Sequence, residues 1–133
     1  MLGDPIQGDR HLLIGARGEQ EAVMFSVKRG LRVLGKNYRK KYGEIDLIAK
    51  KDGTIHFIEV KTSIFHENTA FPAEIRVNRD KQRKLIRTCE TYLREMLHDD
   101  GETPWQIDVI AVTLNPDLTL MSINFIENAV FYG

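Results

Sequence analysis

The sequence contains a single cysteine, Cys89, which excludes an internal disulfide and any cysteine-rich metal site. It has no apolar run close to the roughly 18 residues that a membrane-spanning helix requires. Its start, MLGDPIQGDR, lacks the basic-then-apolar pattern of a secretory signal. We therefore expect a cytoplasmic protein without a membrane partner.

Basic residues are missing from the C-terminal part of the chain. All 19 lysine and arginine residues precede Leu97, although the net charge of the whole chain is zero. Several of the 19 acidic residues follow it: Asp99, Asp100, Glu102, Asp108, Asp117 and Glu127. Zero net charge argues against a uniform basic coat for nucleic acid, whereas this division is compatible with a basic binding face and an acidic back.

The length of 133 residues, 42% of them hydrophobic, suits one domain over residues 1–133 with helices packed on a sheet. Residues 1–9 contain glycine and proline, and we expect them to be a flexible start. Residues 62–77 lack a clear periodicity, and we expect a mobile loop there.

Hydrophobic patterns predict the order helix, three strands, helix, two strands. The first helix is predicted from about Asp9, as N-cap, to Arg29, with one apolar stripe facing the core: Leu12, Ala16, Val23 and Val27. The second helix is predicted from Asn78, a good N-cap, to about His98. The last two strands are predicted from Trp105 to Val112 and from Leu118 to Phe125.

The central stretch of the chain, YGEIDLIAKKDGTIHFIEVK, covers residues 42–61 and reads as a hairpin. Asp52-Gly53 between two apolar runs is typical of a two-residue type I′ turn. If these residues form the turn, Lys51 pairs with Thr54. The same register places Asp46 opposite Glu59, and Glu44 opposite Lys61.

Two carboxylates that face each other destabilise a sheet unless a cation lies between them. Mg²⁺ binds oxygen ligands, commonly one or two carboxylates with waters and phosphate, so Asp46 and Glu59 are candidate metal ligands. Lys61 lies on the same strand face as Glu59 and can position the attacking water or neutralise developing charge. Together these residues indicate metal-assisted phosphodiester hydrolysis. The alternative is an exposed ladder of ion pairs on a solvated sheet face.

Glu19 falls on the apolar stripe of the first predicted helix, so its carboxylate is expected to face the core. If this helix packs on the hairpin face that carries Asp46 and Glu59, Glu19 is a third acidic group at the same cation. The alternative is a border position where the carboxylate reaches solvent or pairs with Arg17 or Arg39.

Two groups of basic residues are candidates for phosphate contacts. The first precedes Glu44 and is either a phosphate clamp or a solubilising loop; the second lies on the second helix and is either a phosphate-contacting ridge or a solvated face. The candidate nucleic-acid-binding residues are Arg17, Arg39, Lys40, Lys41, Arg79, Lys81, Arg83 and Lys84. Asp108, within a buried strand, is expected to hydrogen-bond a neighbouring loop rather than to act at the metal.

Four stretches in the right order closely resemble the bacterial YraN-like family: GARGE at 15–19, GEIDLIA at 43–49, FIEVKT at 57–62 and QIDVI at 106–110. The resemblance extends from about Leu13 to Phe131. This family belongs with the Holliday-junction-resolvase-like branch of the PD-(D/E)XK endonuclease superfamily. The sequence departs from the superfamily pattern at Ile45, where others have proline, and from the family pattern at Ser63, where arginine is common.

The resemblance implies a restriction-endonuclease-like α/β core, a mixed five-stranded sheet flanked by two long helices. It implies that Glu19, Asp46 and Glu59 bind Mg²⁺ or Mn²⁺, with the Val60 carbonyl as a further ligand. Lys61 would assist the attacking water, and Lys81 matches a basic position at the start of the second long helix.

The first functional hypothesis is therefore a metal-dependent nuclease that acts on DNA; the resemblance extends it to branched DNA and to a homodimer. The second is a non-catalytic nucleic-acid-binding or scaffold domain in which Glu59 and Lys61 form a structural ion pair. A third is an interaction module that never meets nucleic acid. Fold analogy alone does not decide between these hypotheses.

Overall fold

A computed structural model describes residues 6–66, 79–99 and 101–129. Two helices and five strands follow one another in the predicted order. They are α1 (Ile6–Lys28), β1 (Arg32–Lys40), β2 (Gly43–Lys51), β3 (Thr54–Ile64), α2 (Arg79–Leu97), β4 (Trp105–Leu114) and β5 (Leu120–Ile126). Neither helix, over its described residues, has an apolar stretch that could cross a membrane.

The five strands form one mixed sheet in the order β1-β2-β3-β4-β5. β3 and β4 are parallel, and the other neighbouring pairs are antiparallel. A parallel pair needs a crossover connection, and α2 lies in the segment between β3 and β4. The predicted α/β class with a restriction-endonuclease-like core is confirmed.

Each face of the sheet is covered by one helix. Ile58 of β3 packs with Ala22 of α1 in one apolar cluster. Phe57, the preceding residue, packs with Cys89 and Tyr92 of α2 in a second cluster. Successive residues of a strand point to opposite faces, so α1 and α2 lie on opposite sides of β3.

The hairpin turn forms as predicted. Asp52 and Gly53 have φ angles of 50° and 81°, the positive values that a type I′ turn requires. Lys51 pairs with Thr54, and the predicted register continues for five residue pairs up to Leu47 and Ile58. The local sequence therefore determines how β2 and β3 align near the turn.

The predicted apolar stripe of α1 is wrong except at Val23, which packs against the apolar cluster beneath this helix. Leu12 is 71% exposed and Val27 57% exposed. The residues of α1 that are buried are instead small or polar: Gly18, Glu21, Ala22 and Ser26. The reason is a close approach of α1 to the sheet, because a side-chain carbon at Gly18 would overlap the Thr62 side chain on β3.

Several predicted boundaries also differ, including those of the last two strands, where β4 ends at Leu114 rather than Val112 and β5 is Leu120–Ile126. Residues 6–9 are already helical, so Asp9 is not the N-cap of α1. The rest of the predicted flexible start, residues 1–5, lies outside the described residues. β3 continues to Ile64 because Thr62 and Ile64 pair with β4, a long-range contact that local periodicity does not reveal. The rest of the predicted loop, from residue 67, and Asn78 lie outside the described residues.

The contact between Gly18 and Thr62 is testable with a matched pair of variants. Gly18→Ala should destabilise the protein by about 1–3 kcal/mol, because the added methyl group overfills a closed contact. Gly15→Ala on the same helix should stabilise the protein by about 0.5–1 kcal/mol, since the added methyl group meets open space and alanine favours a helix. Urea unfolding of both variants measures the difference.

The Thr62→Gly background tests the same contact. There Gly18→Ala should lower the free energy of unfolding by less than it does in wild type, because the side chain that it would overlap is gone. Equal stability of Gly18→Ala and Gly15→Ala would contradict the close approach of α1 to β3.

Candidate functional site

The ladder between β2 and β3 stops where the acidic residues begin. Its last pair is Leu47 with Ile58, and the predicted pairing of Asp46 with Glu59 is not formed. Oδ2 of Asp46 instead accepts a hydrogen bond of 2.8 Å from the backbone N–H of Val60. In a continued antiparallel ladder that N–H would bind the Ile45 carbonyl. The Asp46 carboxylate thus replaces a backbone acceptor at the point where the two strands separate.

β2 also changes direction at Asp46. Ile45 packs in the cluster beneath α2, whereas Leu47 packs in the cluster beneath α1. Residues two apart on a regular strand share a face, so the strand is locally rotated between them. Asn37 lies opposite this point on β1, between the pairs formed by Lys36 and Tyr38, and has a φ of 52°. This irregularity exposes the Asp46 carboxylate to groups from both sides of the sheet.

Asp46 lies in an environment that disfavours its negative charge. Burial is the main cause that raises its pKa from 3.8 to about 6, against the lowering effect of the bond from Val60. The negative charges of Glu59, Glu19 and Glu44 raise the pKa further. Three elements therefore place carboxylates near Asp46: α1, β2 itself and β3.

Glu19 is half-buried and has no hydrogen bond or ion pair within the described residues. The two arginines predicted as alternative partners bind elsewhere. Arg17 pairs with Glu21 at 2.6 Å, and Arg39 pairs with Glu44 at 3.2 Å. Glu19 thus keeps its carboxylate available beside Asp46.

Glu59 and Lys61 lie next to each other on β3, as the strand period predicts. Nζ of Lys61 is 3.0 Å from Oε1 of Glu59, and both side chains remain partly exposed. Glu59 also lines a cavity of about 230 Å³, where Lys81 and Lys84 of α2 line the opposite wall. The cavity brings two of the predicted phosphate-binding lysines to one of the predicted metal ligands.

Other predicted basic residues do not converge on this cavity. Lys40 forms an ion pair with Glu95 of α2 at 2.6 Å. Glu44 does not lie opposite Lys61 as predicted and pairs with Arg39 instead. The remaining candidates on the sheet and on α2 are exposed and line no part of it: Lys41, Arg79 and Arg83.

Comparison with known proteins identifies the family of the chain. The model of the Uncharacterised protein family UPF0102 matches residues 18–112, which include every element from the second half of α1 to β4. The chain belongs to the UPF0102 family. The YraN-like resemblance is thereby confirmed.

Individual UPF0102 proteins match most of the chain. One from Campylobacter fetus subsp. fetus is 37% identical over 124 residues, which are 93% of this chain and 99% of the relative. One from Nitratiruptor sp. is 37% identical over 108 residues, 81% of this chain and 89% of the relative. One from Caldicellulosiruptor saccharolyticus is 36% identical over 116 residues, 87% of this chain and 95% of the relative.

The three candidate ligands of this UPF0102 chain are of the chemical type that binds a hard divalent cation. Asp46, Glu19 and Glu59 offer carboxylate oxygens, the ligands that Mg²⁺ and Mn²⁺ prefer, and their mutual repulsion favours a positive ion. Their spacing does not yet form a closed ligand set. Across the described ranges, no three His, Cys, Asp or Glu side chains are gathered closely enough to hold a metal. Glu59 lies on the face of β3 that α2 covers, whereas Glu19 comes from α1 on the opposite face, so the predicted packing of α1 on the face that carries Glu59 is wrong. Glu59 would have to turn from Lys61 towards Asp46 to complete the set.

Sequence analysis missed two residues that support this UPF0102 site. Glu21 is buried and is held by Arg17, one helical turn earlier, and the spacing of four residues between opposite charges was a usable signal. Tyr42 lines the cavity, with its hydroxyl 2.6 Å from Oγ1 of Thr91 and its ring 3.8 Å from the Arg87 guanidinium. No local pattern connects Tyr42 to α2, because the contact joins distant parts of the chain.

The raised pKa of Asp46 predicts a pH-dependent gain in stability on its replacement. Well below pH 3.8 the carboxyl is protonated in both the folded and the unfolded chain, and Asp46→Asn should change stability little. Between pH 3.8 and about 6 the carboxyl ionises in the unfolded chain but stays largely protonated in the folded one, so the wild type loses stability relative to Asp46→Asn. Above about pH 6 both states are ionised, and the difference stays constant. Above pH 7 in EDTA, Asp46→Asn should be more stable by about 1–3 kcal/mol.

The measurement is urea unfolding of wild type and variant between pH 4 and pH 8. Asp117→Asn is the control, because hydrogen bonds from Thr119 lower the pKa of Asp117 and its replacement should not stabilise the protein at pH 8. A constant difference between Asp46→Asn and wild type across this range would contradict the assigned environment.

Proposed function

We propose that this UPF0102 chain is a divalent-metal-dependent nuclease that hydrolyses phosphodiester bonds in DNA, including branched DNA. The observation that carries the proposal is the concentration of carboxylates around Asp46, whose pKa is raised to about 6 by burial and by neighbouring acids. A structural role alone does not explain why the Asp46 charge is buried beside other acids, because burying a charge without an ion-pair partner lowers the free energy of unfolding. A bound cation would remove this destabilisation.

In this proposal Glu19, Asp46, Glu59 and the Val60 carbonyl hold Mg²⁺ or Mn²⁺. The ion, when bound, supplies an acidified water as nucleophile and stabilises charge on the phosphate. The bond from the Val60 N–H to Oδ2 orients Asp46. Lys61, already 3.0 Å from Glu59, would be released by the rotation of Glu59 and would hold the attacking water or the developing negative charge.

Substrate binding is assigned to the basic side of the molecule. Lys81 and Lys84 line the same cavity as Glu59, which suits them to contact the phosphates next to the bond that is cleaved. The exposed arginines of α2, Arg79 and Arg83, would contact phosphates farther along the strand. The proposal includes a homodimer, because cleavage of a branched junction on two strands needs two sites. It also places the protein in the cytoplasm.

DNA cleavage tests the proposal directly. The protein should cleave linear, flapped or four-way DNA in Mn²⁺ or Mg²⁺ and should be inactive in EDTA. Asp46→Asn and Glu59→Gln should each lower the rate by at least about 100-fold, because each removes a ligand that stabilises transition-state charge. DNA binding by these variants, measured by fluorescence anisotropy in Ca²⁺, should be retained or tighter, since each removes a negative charge from the binding surface.

Glu90→Gln is the matched control, because Glu90 is exposed on α2 and does not line the cavity. The control should cleave like wild type. Cleavage by the Asp46→Asn and Glu59→Gln double variant at the wild-type rate would remove the assigned site from the reaction.

A second candidate function is a non-catalytic nucleic-acid-binding or scaffold domain. The 3.0 Å ion pair of Glu59 with Lys61 favours it, since this pair neutralises both groups without a metal. In this alternative the exposed basic residues still bind phosphate, and the Asp46 carboxylate serves only to satisfy the Val60 N–H.

Thermal melting with Mn²⁺ separates the two candidates. A metal site predicts that saturating Mn²⁺, at about 100 times its dissociation constant, stabilises wild type by about 2.7 kcal/mol and raises its melting temperature by roughly 5 °C or more. The rise should vanish in Asp46→Asn and persist in Glu90→Gln. An unchanged melting temperature in wild type at millimolar Mn²⁺, together with salt-dependent DNA binding, would favour the non-catalytic domain.

A further inference from the structure

A second cavity, of about 300 Å³, lies at the C-terminal end of α1 beside the hairpin turn. It shares no lining residue with the cavity that contains Glu59. Its walls come from the end of α1, the turn between β2 and β3, the start of β4 and the end of β5. The proposed nuclease chemistry makes no use of this cavity.

A buried histidine lines the second cavity. His56 is only 6% exposed, and its Nδ1 lies 2.6 Å from Oδ2 of Asp108, which is fully buried. The other Asp108 oxygen accepts hydrogen bonds from Nε2 of Gln106 at 2.8 Å and from the backbone N–H of Asn128 at 3.0 Å. The latter is the bond to a neighbouring segment expected of Asp108. A carboxylate that accepts from all its partners places the proton of the imidazole on Nδ1.

The second ring nitrogen of His56, Nε2, is therefore oriented but unused. No atom of the described residues hydrogen-bonds to it. It is also not fully buried, because Arg17 Nε is the only fully buried side-chain nitrogen or oxygen of the described residues that lacks a partner. The nitrogen is consequently accessible from the cavity that the ring lines. A polar atom at the end of a fixed, buried side chain is a usual way to orient a bound ligand.

Two cationic residues beside His56 form no ion pair with any residue that the structure describes. Arg29 and Lys51 line the cavity, and Nζ of Lys51 is fixed by a 2.8 Å bond to the Arg29 carbonyl oxygen. Within the described residues, no carboxylate oxygen lies within 4.0 Å of either cationic group. The carboxylates on the same walls, Asp52 and Glu127, are therefore not in direct ion-pair contact with them.

The Arg29 guanidinium is held in place by aromatic rings rather than by an acid. It lies 5.1 Å from the ring centre of Phe25 and 5.5 Å from that of Phe125. These contacts orient the guanidinium and leave its net charge unchanged. Two oriented cations and one oriented imidazole nitrogen thus border one cavity.

We propose that this cavity binds the phosphate group of a small phosphate monoester. Arg29 and Lys51 would donate to the phosphate oxygens, and His56, held by Asp108, would hydrogen-bond to the ligand through Nε2. Phe125, an apolar residue of the lining, is the side chain beside which the organic part of the ligand would lie. The phosphate could belong to a free mononucleotide or to the end of a DNA strand, and the two sources are separated by the experiment.

Titration calorimetry with the intact chain tests the proposal, with inorganic phosphate, sulfate, AMP and adenosine as probes. Phosphate and AMP should bind saturably at one site, AMP should bind at least tenfold more tightly than phosphate, and adenosine should not bind. Failure of phosphate, sulfate and AMP to bind at millimolar concentration would overturn the proposal. A 5′-phosphorylated single-stranded oligonucleotide that competes with AMP, where its unphosphorylated form does not, would assign the phosphate to a DNA end; no competition would assign it to a free ligand.

Surface variants test the site without disturbing the core. Arg29→Gln and Lys51→Gln, both at exposed residues, should each weaken AMP binding at least tenfold. Lys28→Gln is the matched control, because it removes the same charge from the neighbouring residue of α1, which does not line the cavity. Equal weakening by all three variants would show general charge attraction and would contradict a built site.

The role of His56 is tested with sulfate. His56→Gln should weaken sulfate binding severalfold, because it removes the ring nitrogen that borders the cavity. His98→Gln, at an exposed residue that does not line the cavity, is the control and should bind sulfate like wild type. Wild-type sulfate affinity in folded His56→Gln would remove His56 from the site. This test is independent of the proposed nuclease activity, since none of its readouts involves metal or cleavage.

Discussion

The hydrogen bond from the Val60 N–H to the Asp46 carboxylate is the interaction on which the candidate site depends. It satisfies a backbone group at the place where β2 leaves β3, so the sheet opens without an unpaired donor. Because the acceptor is a charged side chain, the opening also carries a carboxylate into a half-buried position. The same bond therefore explains the position of the Asp46 carboxylate between the strands, whereas burial and the neighbouring acids raise its pKa.

The close approach of α1 to β3 is the second constraint. Gly18 leaves no room for a side chain against Thr62, and Ala22 packs into the core beneath the same helix. Glu19, which follows Gly18 directly, is consequently held near the opened strands and contributes its charge to Asp46. Large apolar residues of α1, including Leu12 and Val27, are displaced to the surface by this arrangement.

The surroundings of Asp46 and the cavity at the hairpin turn differ in which charged groups lack an ion-pair partner. Beside the separated strands, acids outnumber the bases close to Asp46, which suits a cation. At the hairpin turn, Arg29 and Lys51 have no ion-pair partner among the described residues, which suits an anion. β3 supplies one central residue to each cavity: Glu59 to the first and His56 to the second. A nuclease with a separate phosphate pocket would have both features on one strand.

Local sequence was sufficient for several features of this protein. The element order, the type I′ turn at Asp52-Gly53 and the pairing of the first five residues on each side follow from turn chemistry and strand period, which act over a few residues. The proximity of Glu59 to Lys61 follows from the same period.

Long-range contacts decided the rest. The face of α1 was predicted only in part. Helical periodicity records which residues are apolar, and Val23 does pack on the core, but it does not record how closely the helix approaches the sheet. At Gly18 the available space, rather than hydrophobicity, selects the buried residue. The pairing predicted for Asp46 failed because a side chain replaced a backbone acceptor, a choice that depends on the distance between separated strands. The second cavity was invisible to sequence analysis, since His56, Asp108 and Arg29 come together only when α1, β3 and β4 are packed. Sequence alone therefore determined the elements and their local register, whereas tertiary packing decided which charges meet, because electrostatic interactions depend on distances in space.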